Sequence, residues 1–145
     1  MSDNTVFPRS PKDEIDGLIY FPRMLDKIRL HLEGKLHADY HDNMGKALDQ
    51  STCDLLQVDY VELAEKVLDG ADDKEALEWA YSTGCKPESP QKDWWCSYVR
   101  NLGFNDHLSD VLAQRISEAG FSDRDDLNSF LDFIDVEEGH GVKPA

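Results

Sequence analysis

The sequence predicts an all-α fold: a compact orthogonal or up-down bundle of about six to seven helices with no sheet. Three observations lead there. Apolar residues recur at spacings of three and four over most of the chain. Cap-like residues precede these stripes and glycines follow them. No alternating, period-two run extends beyond a few residues.

The elements follow in order. Pro8, Pro11 and Pro22 break up the start, so residues 1–21 are expected to be extended and turn-rich. Within them, Ser10–Pro11 is expected to open a short turn of helix ending at Gly17. A central helix is predicted over residues 22–33. At about 100° per residue, Phe21, Met24, Leu25, Ile28 and Leu32 share its core face, while Arg23, Asp26, Lys27 and Leu30 lie opposite. From Lys35 to Gln50 the periodicity fades, which reads as a structured loop.

Residues 59–139 read as a helical bundle. Asp59 with Glu62, and Asp72 with Glu75, have capping-box spacing. Ser89 before Pro90 reads as a cap, and Asn105 and Ser122 are the expected caps of the last two helices. The stripes are Val61/Ala64/Val67/Leu68, Ala76/Leu77/Ala80/Tyr81, Trp94/Trp95/Tyr98/Val99/Leu102, Leu108/Val111/Leu112/Ile116 and Leu127/Phe130/Leu131/Ile134. Residues 1–145 are read as one domain, with Met1–Thr5 and Gly141–Ala145 frayed.

Charge narrows the function classes. The net charge of −15 disfavours nucleic acid and anionic membranes as partners, because like charges repel. No apolar run approaches the roughly 18–20 residues of a membrane span, and the polar N-terminus lacks a signal core. Three widely spaced cysteines, Cys53, Cys85 and Cys96, form no CxxC pair and fit reduced thiols in a cytoplasmic protein. The charge is also uneven. Residues 1–46 hold 7 basic and 8 acidic side chains, whereas residues 47–145 hold 8 and 22.

That near-neutral first third carries the candidate ligand-binding residues Arg9, Arg23, Asp26, Lys27 and Arg29. A helix covered on both sides, with Arg23 and Lys27 four apart, would line an anion pocket or require carboxylate partners. The competing reading is a salt-bridge set that fastens the N-terminal segment to the bundle. His37 and His41, with Asp39 and Asp42 beside them, are the candidate metal residues, although Gly34 and Gly45 favour a loop there. Asp132, Asp135, Glu137 and Glu138 read as an exposed acidic helix end. Trp94 and Trp95 are adjacent, so one of them must leave the core and meet a neighbouring helix, a ligand or a second subunit.

The run PRSP at Pro8–Pro11, GLIYFPRMLDKIRLHLEGKL at Gly17–Leu36, LDQ at Leu48–Gln50, VDYVEL at Val58–Leu63 and DFIDVEEG at Asp132–Gly139 resembles the bacterial family catalogued as domain of unknown function 5069. The resemblance covers nearly the whole chain. It implies a small stand-alone protein with no established activity and offers no catalytic residues to transfer. It lends weight to Arg9, Arg23, Asp26, Lys27 and Arg29, and none to the histidines.

Three readings remain open: a helical module that binds a small anion or acidic partner through the N-terminal Arg/Lys segment, a metal-assisted enzyme using His37 and His41, and a structural homodimer built on an exposed tryptophan. Cofactor and catalytic residues are unassigned.

Overall fold

A computed structural model describes residues 6–140, so the two expected frayed ends lie outside the described residues. A two-stranded antiparallel hairpin, β1 (Glu14–Ile15) and β2 (Leu18–Ile19), leads directly into α1 (Phe21–Leu32). A 3-10 helix (Ala38–Asn43) and α2 (Leu48–Leu56) follow. Then come α3 (Tyr60–Leu68), α4 (Asp73–Thr83), α5 (Ser89–Arg100), α6 (Ser109–Glu118) and α7 (Phe130–Glu137). The fold is mostly helical as expected, but the expectation of no sheet is corrected by the hairpin.

The hairpin replaces the turn of helix expected before Gly17. Asp16 and Gly17 both take positive φ, 51° and 76°, which is the geometry of a two-residue turn whose twist matches its strands. The hairpin tip docks on α4 and α5: Tyr81 donates to an Asp16 carboxylate oxygen at 2.9 Å, and Lys92 to the Asp16 carbonyl at 2.7 Å.

α1 is the centre of the molecule. Phe21, Met24, Leu25 and Ile28 are buried in the main core with Leu18, Leu56, Leu63, Val67, Leu77, Trp95, Val99 and Leu131. Each such side chain contributes about 1.5–3 kcal/mol by leaving water. Leu32, expected on this face, is exposed, and the buried residues of α1 run from Phe21 to Ile28. On α3 the buried pair is Leu63 and Val67, while Val61 and Leu68 of the expected stripe face outward. A smaller cluster of Leu112, Leu127 and Phe133 joins α6 to α7. α7 spans both clusters, since Leu131 belongs to the first and Phe133 to the second.

Local signals explain several boundaries. Asp72 and Glu75 form a complete capping box on α4, and Asp59 caps α3 through the Glu62 amide. α5 starts one residue earlier than expected, with Ser89 inside the helix and Glu88 as its cap. Asn105 and Ser122 do not cap α6 and α7. Asn105 sits in a left-handed turn, where Asp106 accepts the Gly103 and Leu108 amides, and Ser129 caps α7 instead. Gly84 ends α4 at a point of close approach: a Cβ there would lie 2.1 Å from the Leu56 carbonyl oxygen. Among the described residues no helix is long and apolar enough to cross a membrane.

Candidate functional site

The charged face of α1 is covered, and its cations meet carboxylates brought from distant parts of the chain. Arg23 is 4% exposed and makes a two-pronged contact with Glu138, both N–O distances being 2.7 Å. Such a fork-to-fork pair is the strong form of a charge-assisted hydrogen bond. Glu138 also accepts from Tyr40 Oη at 2.6 Å, and its other oxygen lies 3.1 Å from His140 Nε2. That imidazole nitrogen is also 3.1 Å from the Pro8 carbonyl, and both neighbours are acceptors, so it carries the proton. Arg23 further donates to the Arg9 carbonyl at 3.1 Å. Burial opposes the Arg23 charge, but Glu138 more than compensates and raises the guanidinium above its usual value.

One turn further on, Lys27 meets Asp49 at 2.8 Å, with Asp49 fully buried. Lys27 also donates to Tyr20 Oη at 3.0 Å, and Tyr20 donates onward to Asp49 at 2.6 Å. The Gly45 amide satisfies the second Asp49 oxygen at 2.9 Å. Burial pulls the Lys27 ammonium below its ordinary value despite Asp49. Burial, and then the Asp49 charge, push the Tyr20 phenol well above its ordinary value. Two residues here have strained backbones: Tyr20 of the triad at φ 71°, ψ −30° and Ala47, two residues before Asp49, at φ 50°, ψ −121°. Each stands just before a helix, Tyr20 at the N-cap of α1 and Ala47 at the N-cap of α2.

The third cluster lies at the edge. Arg9 Nη2 is 2.9 Å from Asp26 and 2.8 Å from Asp73, and Arg29 Nη1 is 2.8 Å from Asp73 and 3.6 Å from Asp26. Arg29 also donates to the Ala71 carbonyl at 3.2 Å. Burial disfavours ionised Asp73, but hydrogen bonds from Arg29 and Arg9 outweigh it and hold its carboxyl below the usual value. Beside this cluster lies a shallow, open surface hollow of about 540 Å³, walled by Ile15, Arg29, Ala71, Asp72, Asp73 and Lys74. The side chains of Arg9 and Arg29 remain about a third exposed, at 38% and 32%.

The five candidate residues thus divide into two groups. Arg23 and Lys27 point inward and are saturated by Glu138 and Asp49. Arg9, Asp26 and Arg29 gather with Asp73 next to open space. His37 and His41 have separate polar contacts. His37 Nδ1 accepts the Asp39 amide at 3.1 Å, and His41 Nε2 sits 3.0 Å from the Leu36 carbonyl. Among the described residues no group of three or more His, Cys, Asp or Glu side chains is placed to hold a metal.

The acidic helix end is corrected as well. Asp135 is fully buried and Glu138 is 7% exposed. Among the described residues neither Asp135 oxygen has a hydrogen-bond partner, and Lys12 Nζ stands 3.9 Å from one of them. Sequence reasoning missed Tyr20, Asp49, Asp73 and Glu138 as partners. A signal existed for the last: Leu131, Asp135 and Glu138 are spaced by four and three, which puts the acids on the core face of α7.

A family model described as Domain of unknown function (DUF5069) matches residues 5–140. The match spans nearly the whole chain, and the chain belongs to that family. A search of the curated proteins finds no match.

Proposed function

We propose that this family member is a binding module whose ligand site is the surface hollow beside Arg9 and Arg29, and whose ligand is a small carboxylate- or phosphate-bearing anion or the acidic side chain of a partner. The observation that carries the reading is the double guanidinium grip on Asp73. Arg9 and Arg29 each reach the Asp73 carboxylate at 2.8 Å, and Arg29 and Asp73 line an open surface hollow of about 540 Å³. Two part-exposed guanidiniums converging on one oxyanion form a receptor for any group of that shape. Asp73, the first residue of α4, acts as the resident occupant, and an incoming anion takes its place near Lys74 and the start of the helix. Arg23 and Lys27 support the site from behind by holding α1 rigid through Glu138 and Asp49.

The test is an amide-shift titration of the isotope-labelled full chain with succinate and with inorganic phosphate. Shifts are expected at Arg29, Ala71, Asp73 and Lys74. Asp73→Asn, which removes the competing charge, should tighten binding several-fold, and Arg29→Ala should abolish it. If neither anion moves those resonances in the wild type or in Asp73→Asn, the reading is wrong.

A further inference from the structure

α5 carries an outward face without charge. Pro90, Gln91, Trp94, Ser97, Tyr98 and Asn101 fall within an arc of about 120° on a helical projection, and all six are exposed. In a chain that is 31% charged, a stripe of about three turns with no charged side chain stands out. At its centre the rings of Trp94 and Tyr98 lie nearly parallel, with centroids 6.3 Å apart and planes inclined by 12°. Trp94 is 69% exposed and Tyr98 45%. Aromatic residues with charge excluded from between them are the composition of an interface centre. Along one edge of the stripe stand exposed Asp93 and Arg100, about two turns apart.

We propose that this face meets a second copy of the chain, two α5 helices lying antiparallel about a two-fold axis near Ser97. The Asp93–Arg100 edge carries one acid and one base, so the face is complementary to a second copy of itself, and in one direction only. Every copy carries a net −15, so two copies approach only where acid does not meet acid. A two-fold axis perpendicular to an antiparallel helix pair keeps like edges on the same side and reverses their direction. Asp93 of each copy then stands opposite Arg100 of the other, in two equivalent ion pairs. Trp94 of each copy falls against Tyr98 of the other. A parallel pair, related by an axis along the helices, would put the two Asp93–Arg100 edges on opposite sides of the contact, where neither ion pair forms. Arg100 is accessible for this role: its ion pair among the described residues is the long one to Glu14 at 3.9 Å, and its side chain is 45% exposed. One helix face is smaller than the roughly 800 Å² per partner of a standard interface, so the dimer is weak and concentration-dependent.

Sedimentation equilibrium of the full chain over a wide concentration range tests this. A monomer–dimer equilibrium is expected, with Trp94→Ala giving monomer throughout. Asp93→Arg and Arg100→Asp should each weaken dimerisation by roughly tenfold or more, since each reverses both symmetric pairs. The double exchange, Asp93→Arg with Arg100→Asp, should return it to near the wild-type constant. All of these side chains are exposed, and an unchanged circular dichroism spectrum shows that each variant is folded. A wild type that stays monomeric at millimolar concentration overturns the proposal, and so does a double exchange as weak as the single ones.

Discussion

α1 and α5 are both twelve residues long and both have proline in the first turn, yet they treat their side chains in opposite ways. α1 buries its cations, with Arg23 and Lys27 at 4% and 5% exposure. α5 leaves one of its two tryptophans, Trp94, in water. Hydrophobicity alone would place all three residues the other way round. The difference lies in partners. Glu138, Asp49, Tyr20 and Tyr40 converge on α1 and repay the dehydration of its charges. Nothing in the described chain covers the outer face of α5. Position in this fold follows the partner available as much as the polarity of the residue.

The largest expected effect breaks the α1 side of the contrast. Glu138→Ala leaves Arg23 buried and unpaired and should cost about 3–5 kcal/mol in urea unfolding. The paired replacement Arg23→Met with Glu138→Leu should recover most of that loss. A double variant as unstable as the single one would show that the neighbouring Tyr40 and His140 contacts, not the ion pair, hold this corner.

The next two sharpen the α5 side and the buried polar set. Trp95 is 4% exposed and its indole donates to Ser51 at 3.1 Å, so Trp95→Ala should cost about 3–5 kcal/mol. Alkaline pH probes the tyrosines. Burial, followed by Asp49 for Tyr20 and by Glu138 for Tyr40, raises both phenols above their ordinary value of 10.0. Above pH 10 the unfolded chain therefore releases protons that the folded chain keeps, and stability falls as pH rises. Lys27 acts in the opposite sense, because burial lowers its value and stability is gained as pH climbs toward 10.5, which softens the onset. Urea midpoints measured from pH 8 to 11 should decline beyond 10, and Tyr40→Phe should flatten that decline.

The smallest effect belongs to Trp94→Ala, which should change the unfolding free energy of the dilute monomer by less than about 0.5 kcal/mol. Two adjacent tryptophans would thus differ by several kcal/mol. An equal cost for both would erase the distinction between the two faces of α5.

What was legible in the sequence follows the range of each interaction. The Asp72/Glu75 capping box and the Phe21/Met24/Leu25/Ile28 face are set within one or two helical turns, and both could be read. The Asp16–Gly17 hairpin was equally local, but its strands are only two residues long and give no alternation to detect. The basic residues of α1 could be singled out as a group, whereas their division could not. Whether Arg23 turns inward while Arg29 stays at a surface hollow depends on Glu138 and Asp73, which lie 115 and 44 residues away from them. A carboxylate rich in alternatives reveals no partner by composition: this chain has 30 of them.

The Arg23–Glu138 pair also sets an order of events in the making of the protein. At about 5–20 residues per second, a ribosome adds the 115 residues between the two partners in roughly 6–23 seconds. Throughout that interval α1 carries a cation for which the finished fold has reserved a dry position, and the carboxylate that fits it does not yet exist. The final corner of the fold therefore closes only after α7 has emerged.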